Sequence, residues 1–114
     1  MSNSYIHFLS IVEDSGRLNP AASLDDIERQ LLLYILLTHN KGQLMLVGDL
    51  IELSQIGSQA TLHGRIKNLE ARRYIKPVVS RDDARKKYVT PTKLANEYLE
   101  FLSSCLARAV KNGK

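Results

Sequence analysis

The sequence predicts a mainly helical chain with one small β-hairpin, and three observations predict it. Apolar residues recur at helical spacing in several stretches. A capped helix with a polar face gives way to a β-branched segment, Ile75-Lys76-Pro77-Val78-Val79. A cation-rich run then separates that segment from a second β-compatible one, Lys87-Tyr88-Val89-Thr90. A helix with a presented face, followed by a hairpin with a projecting basic tip, is the plan of a winged helix-turn-helix. Here it is expected with further helices at both ends, all within one domain spanning 1–114.

Taken in order, Tyr5, Phe8, Leu9 and Val12 have the i, i+3, i+4, i+7 spacing of a short amphipathic helix ending near Gly16. Residues 16–23, GRLNPAAS, read as a linker, so 1–22 is a terminal helix with its tether. Ser23 and Asp26 resemble a capping box for a helix from about Leu24 to His39. Its LLLYILL segment leaves no polar face for two turns, which predicts a helix covered on nearly all sides. His39 to Gly42 closes it. Leu44-Met45-Leu46 suits a short strand beside the hairpin, and Val47 to Leu53 a short helix that leads through Ser54–Gly57 into the next one.

That next helix, 58–73, is the centre of the functional reading. Ser58 can cap it; Leu62, Ile66, Leu69 and Arg73 share one stripe, and Ala60, Thr61, Gly64, Lys67, Asn68 and Ala71 the opposite one. One face is expected in the core and the other in the major groove of duplex DNA. The residues expected there are Ser58, Gln59, Thr61, His63, Arg65, Lys67 and Asn68. The wing, 80–87, offers Arg81, Arg85, Lys86 and Lys87 to the backbone or minor groove, with Asp83 positioning Arg85. Between Gln59 and Lys93 the chain carries ten Lys/Arg and three Asp/Glu, so the remaining residues hold −3 of the net +4. Positive charge concentrated in this way points to a polyanion.

After the wing, Thr92 can cap a last helix running from Lys93 to about Val110, within a C-terminal segment 93–114. Its apolar residues spread over more than one stripe. Tyr98, Phe101, Leu102 and Cys105, with Tyr5, Phe8, Leu9 and Val12 of the first helix, are therefore expected to join two copies of the chain as a homodimer.

The order of elements and three motifs resemble the MarR family of bacterial transcriptional regulators over about residues 24–104. The motifs are Val47-Gly48-Asp49-Leu50; Ser58-Gln59-Ala60-Thr61 with Leu69-Glu70; and Asp83 and Arg85 followed by Val89 and Thr92. The resemblance implies a homodimer, joined through its N- and C-terminal helices, that binds a pseudo-palindromic operator. It also implies a small-molecule effector, phenolic or oxidant. Two positions depart from the family pattern. Gly64 stands where a DNA-contacting arginine is common, and Arg73-Tyr74 where a glycine usually follows the recognition helix.

Other functions find little footing. No nucleophile–base–acid set, phosphate loop or carboxylate pair stands out, so no enzymatic activity or cofactor is expected. His7, His39 and His63 have no metal-ligand spacing. Cys105, alone on an apolar stripe, reads as a buried structural thiol and fits a reducing compartment. The longest apolar run has seven residues, Leu31 to Leu37, against about 20 for a membrane span, and the N-terminus lacks a signal peptide's basic region. The expected location is the cytoplasm. Two alternatives to a sequence-specific regulator, most simply a repressor, stay open. One is a winged-helix protein-interaction or assembly module that binds an acidic partner; the other is a DNA-binding architectural protein without sequence preference.

Overall fold

The structure is a computed structural model that describes residues 3–112, so the outermost two residues at each end of the expected terminal segments lie outside it. The described residues form α1 (Ser4–Asp14), a 3-10 turn (Gly16–Leu18), α2 (Asp26–Asn40), α3 (Val47–Ile51) and α4 (Gln59–Ala71). The strands β1 (Ile75–Val79) and β2 (Lys87–Pro91) and the helix α5 (Lys93–Asn112) follow. The described residues divide into two compact units, one of residues 24–96 and one of residues 3–23 with 97–112.

Within Leu24–Asn96, α2 packs against α4 and β2, α3 against α4 and β2, and α4 against β1. Leu31, Leu32, Ile35, Leu50, Leu62 and Leu69 are completely buried in this unit. Each such burial contributes about 1.5–3 kcal/mol against the entropy of ordering the chain.

Two expectations for α2 need correction. The cap is Asp25, whose carboxylate accepts from the Glu28 N–H at 2.8 Å while Glu28 reaches back to the Asp25 N–H at 2.9 Å. Glu at the third helical position completes this reciprocal box with a longer arm than Asp26 offers to Ser23. The helix is also not covered all round. Leu31, Leu32, Ile35 and Leu36 are buried, whereas Leu33, Tyr34 and Leu37 are exposed. A continuous apolar run hides which side faces the core, because both sides satisfy the same pattern.

The end of α4 answers the missing glycine. Arg73 takes the left-handed conformation with φ 67°, its N–H donates to the Glu70 carbonyl at 3.0 Å, and the Tyr74 N–H donates to that of Leu69 at 2.9 Å. This is a Schellman stop, closed by apolar burial of Tyr74 and Leu69. The helix ends at Ala71, so Arg73, expected on the buried stripe, is exposed. Thr92 secures the same corner: its hydroxyl lies 2.6 Å from the Arg73 carbonyl oxygen, and it accepts from the Ala95 N–H at 3.5 Å to cap α5.

β1 and β2 are antiparallel, with Ile75 opposite Pro91, Pro77 opposite Val89 and Val79 opposite Lys87. The expected strand at 44–46 is a single bridge, Leu46 to Tyr88, with the Val89 N–H donating to the Met45 carbonyl at 2.9 Å.

In the other unit, Asn3 caps α1 by accepting from the Ile6 N–H at 3.2 Å, and the rings of Tyr5 and Phe8 stack 6.1 Å apart. Ala21, Tyr98, Cys105 and Ala109 are buried. Tyr98 and Cys105, both expected at a dimer interface, are already buried within the single chain. The outward apolar residues of α5 are Leu99, Leu106 and Val110, with Phe101 and Leu102 half-buried. On α1, Tyr5, Ile6 and Leu9 are exposed, and Phe8 and Val12 half-buried.

Arg73→Gly should stabilise the fold. Removing a Cβ from the left-handed region relieves about 1–2 kcal/mol, and the freer unfolded glycine offsets about 0.5–1 kcal/mol of that. A rise of a few degrees in Tm is expected on thermal denaturation; an unchanged or lower Tm would show that the Arg73 side chain contributes as much as the strain costs.

Candidate nucleic-acid interface

The geometry of α4 follows from its ends and its buried stripe. Ser58 Oγ accepts from the Thr61 N–H at 3.2 Å and donates to Thr61 Oγ1 at 3.0 Å, so these two side chains hold each other at the start of the helix. Leu62, Ile66 and Leu69 turn into the core. Gln59, Ala60, His63, Gly64, Lys67 and Ala71 are exposed. A Cβ at Gly64 would meet nothing within 4 Å, so this point of the outward face is bare backbone.

Arg65 and Asn68, both expected at DNA, each have a partner within the chain. Arg65 Nε donates to Asp25 Oδ2 at 2.6 Å, and Asn68 Nδ2 donates to Glu28 Oε2. The two carboxylates that cap α2 therefore also anchor α4. Glu28 is only 4% exposed and both its oxygens are occupied, which is how a buried carboxylate is tolerated. At Asp25, partial burial works to raise the carboxyl, but the Glu28 N–H, the hydrogen bond and charge of Arg65 and the Ile27 N–H outweigh it. The group is held below the ordinary aspartate value.

The wing tip is a built loop. Ser80 Oγ accepts from the Asp82 and Asp83 N–H groups at 3.2 and 3.4 Å. Asp83 Oδ1 accepts from the Arg85 N–H at 3.0 Å and from Arg85 Nε at 3.2 Å. The Ser80 N–H donates to the Lys86 carbonyl and the Lys86 N–H to that of Asp83, each at 3.0 Å. Arg85, with its side chain 92% exposed, is thereby aimed outward from a fixed base. Arg81, Lys86 and Lys87 are exposed beside it. An open groove of about 390 Å³ runs between this tip and the start of α3, lined by Leu46, Val47, Gly48, Arg85, Lys86 and Lys87.

Among the described residues, no group of three or more His, Cys, Asp or Glu could hold a metal ion, and no helix is long and apolar enough to cross a membrane. Asp25 and Glu28 are the site residues that sequence reading missed. Their i, i+3 spacing signals a cap, but nothing local signals partners 40 residues away.

The sequence matches no family model and no curated protein. The fold does match solved structures. The Staphylococcus aureus MepR–DNA complex superposes with a TM-score of 0.68 at 18% identity, over 96% of this chain and 81% of that one. The transcriptional regulator Tm0710 from Thermotoga maritima gives 0.67 at 17%, over 95% and 68%. The heme sensor protein PefR from Streptococcus agalactiae, in complex with heme, gives 0.61 at 18%, over 92% and 71%. The chain has the winged helix-turn-helix fold of these proteins, the fold that its MarR resemblance implies.

Glu28→Ala strands the Asp25 N–H and the Asn68 amide and should cost about 1–3 kcal/mol in urea denaturation. Glu28→Gln keeps an acceptor for the cap, and a flipped Asn68 amide can pair with it, so most of the loss should be recovered. Equal losses in the two variants would assign the effect to packing alone.

Proposed function

We propose that this chain is a sequence-specific, duplex-DNA-binding transcriptional regulator that acts as a homodimer. One observation carries the reading: a capped helix presents Gln59, His63, Gly64 and Lys67 outward in the same compact unit as an ordered wing that projects Arg85. The likeness to MepR, solved on DNA, supports it. α4 enters the major groove, where Gln59, His63 and Lys67 reach base edges, with Ser58 and Thr61 at its N-terminal end. The bare backbone at Gly64 allows close approach. Arg81, Arg85, Lys86 and Lys87 of the wing lie along phosphates or in the minor groove and supply most of the affinity.

The dimer forms through the exposed apolar residues of α1 and α5, and sets two copies of α4 on half-sites of a pseudo-palindromic operator about one turn apart. Such a dimer represses by occluding the promoter, in the cytoplasm where the DNA lies. A small-molecule effector is part of the proposal, supported by the heme sensor among the structural neighbours.

Arg85→Ala should weaken binding to every duplex and reduce the salt slope by about 1, whereas Gln59→Ala and Lys67→Ala should also change base preference, by about 1–3 kcal/mol per lost contact. Selection of bound fragments from a random duplex library, followed by titrations across salt, reads both. Affinity that is insensitive to salt and sequence would move the reading to a module for an acidic protein partner.

Leu106, 52% exposed on α5, tests the dimer. Leu106→Glu would bury an unpaired charge in the interface at several kcal/mol and should give a folded monomer with weak operator binding. Sedimentation that finds the native chain monomeric at micromolar concentration would sink this part of the proposal.

A further inference from the structure

We propose that Asp25 serves as an intramolecular stand-in for a DNA phosphate at Arg65, restraining sequence-independent attachment. The inference rests on the DNA-binding reading above. Arg65 lies on the flank of α4, next to the face that meets the duplex. It is the one arginine of that helix, yet its Nε is already 2.6 Å from Asp25 Oδ2.

Asp25 cannot readily swing away. Its other oxygen, Oδ1, is held at 2.8 Å by the Glu28 N–H as the cap of α2, so capping geometry fixes Oδ2 against Arg65. The pair is half-exposed, with the side chains 40% and 43% accessible, so a phosphate oxygen can reach the guanidinium and competes directly with the carboxylate. Both acceptors are oxyanions suited to the same planar fork. A duplex of arbitrary sequence is held almost wholly by phosphate contacts, and each contact withheld removes one released counterion from its binding. Asp25 withholds one. Asp26, the adjacent carboxylate, pairs with Arg29 at 2.5 Å, and its side chain is 88% exposed.

The experiment compares the native chain, Asp25→Asn, Asp26→Asn, Arg65→Ala and the double variant Asp25→Asn/Arg65→Ala on a random-sequence duplex. Asparagine caps a helix as well as aspartate does, so Asp25→Asn should fold normally, and its thermal stability is measured alongside. Asp25→Asn is expected to bind more tightly than both the native chain and Asp26→Asn, with a slope of log affinity against log salt steeper by about 0.9. Its advantage should shrink about 3.5-fold between about 50 and about 200 mM salt, and should vanish in the Arg65→Ala background.

Asp25→Asn matching Asp26→Asn would reduce the effect to net charge and overturn the inference alone. Weaker binding by Asp25→Asn would overturn it too, by showing that Asp25 positions Arg65 for the phosphate. A native chain with no affinity for any duplex at about 50 mM salt would overturn the DNA-binding reading itself, and this inference with it.

Discussion

Burial of Leu62, Ile66 and Leu69 sets the rotation of α4 about its axis, and the face the helix presents outward follows from that rotation. Three apolar side chains at helical spacing contribute several kcal/mol when buried, more than any single exposed hydrogen bond, so the polar residues take the positions left over. Two of them, Arg65 and Asn68, fall on the flank and meet carboxylates of α2. Gln59, His63 and Lys67 stay free of the core. The Ser58 cap and the left-handed stop at Arg73 set where the helix begins and ends. With rotation and both ends determined, a helix of 13 residues has no adjustable part left.

The wing obeys a different economy of order. A seven-residue basic loop would be expected to wander, since like charges repel and loops are ordinarily mobile. Ser80 and Asp83 prevent this by gathering the N–H groups of residues 82, 83 and 85 onto two side-chain oxygens. The entropy of ordering the tip is spent during folding, so little would remain to be lost on binding a partner. Asp83 lowers the formal charge of the tip but raises the share of it that is aimed.

What could be read from the sequence is what depends on near neighbours in the chain. The caps at Ser58 and Thr92, the hairpin and, except for Arg73, the buried stripe of α4 are set by residues fairly close in the chain, and they appear in the structure. The partners of Asp25 and Glu28 are 40 residues away and leave no periodic trace. Apolar excess hides the pattern of burial in two places. On α2 the run from Leu31 to Leu37 concealed an exposed side at Leu33, Tyr34 and Leu37. On α5 two apolar stripes compete, and pattern alone cannot say that Tyr98 and Cys105 turn inward while Leu99 and Leu106 turn outward.

The pairing of Pro77 with Val89 bears on how the protein keeps to itself. The Val89 N–H points away from β1, toward Met45, so Pro77 sits at a position of the ladder where its own nitrogen faces outward. The missing N–H therefore takes nothing from the hairpin. It does leave the free edge of β1 without a donor midway along its five residues, next to the charge of Lys76. A β-strand from another molecule that extended this sheet in register would lack a hydrogen bond at Pro77. The hairpin can stand out from the body as a two-stranded ribbon without becoming a template for aggregation.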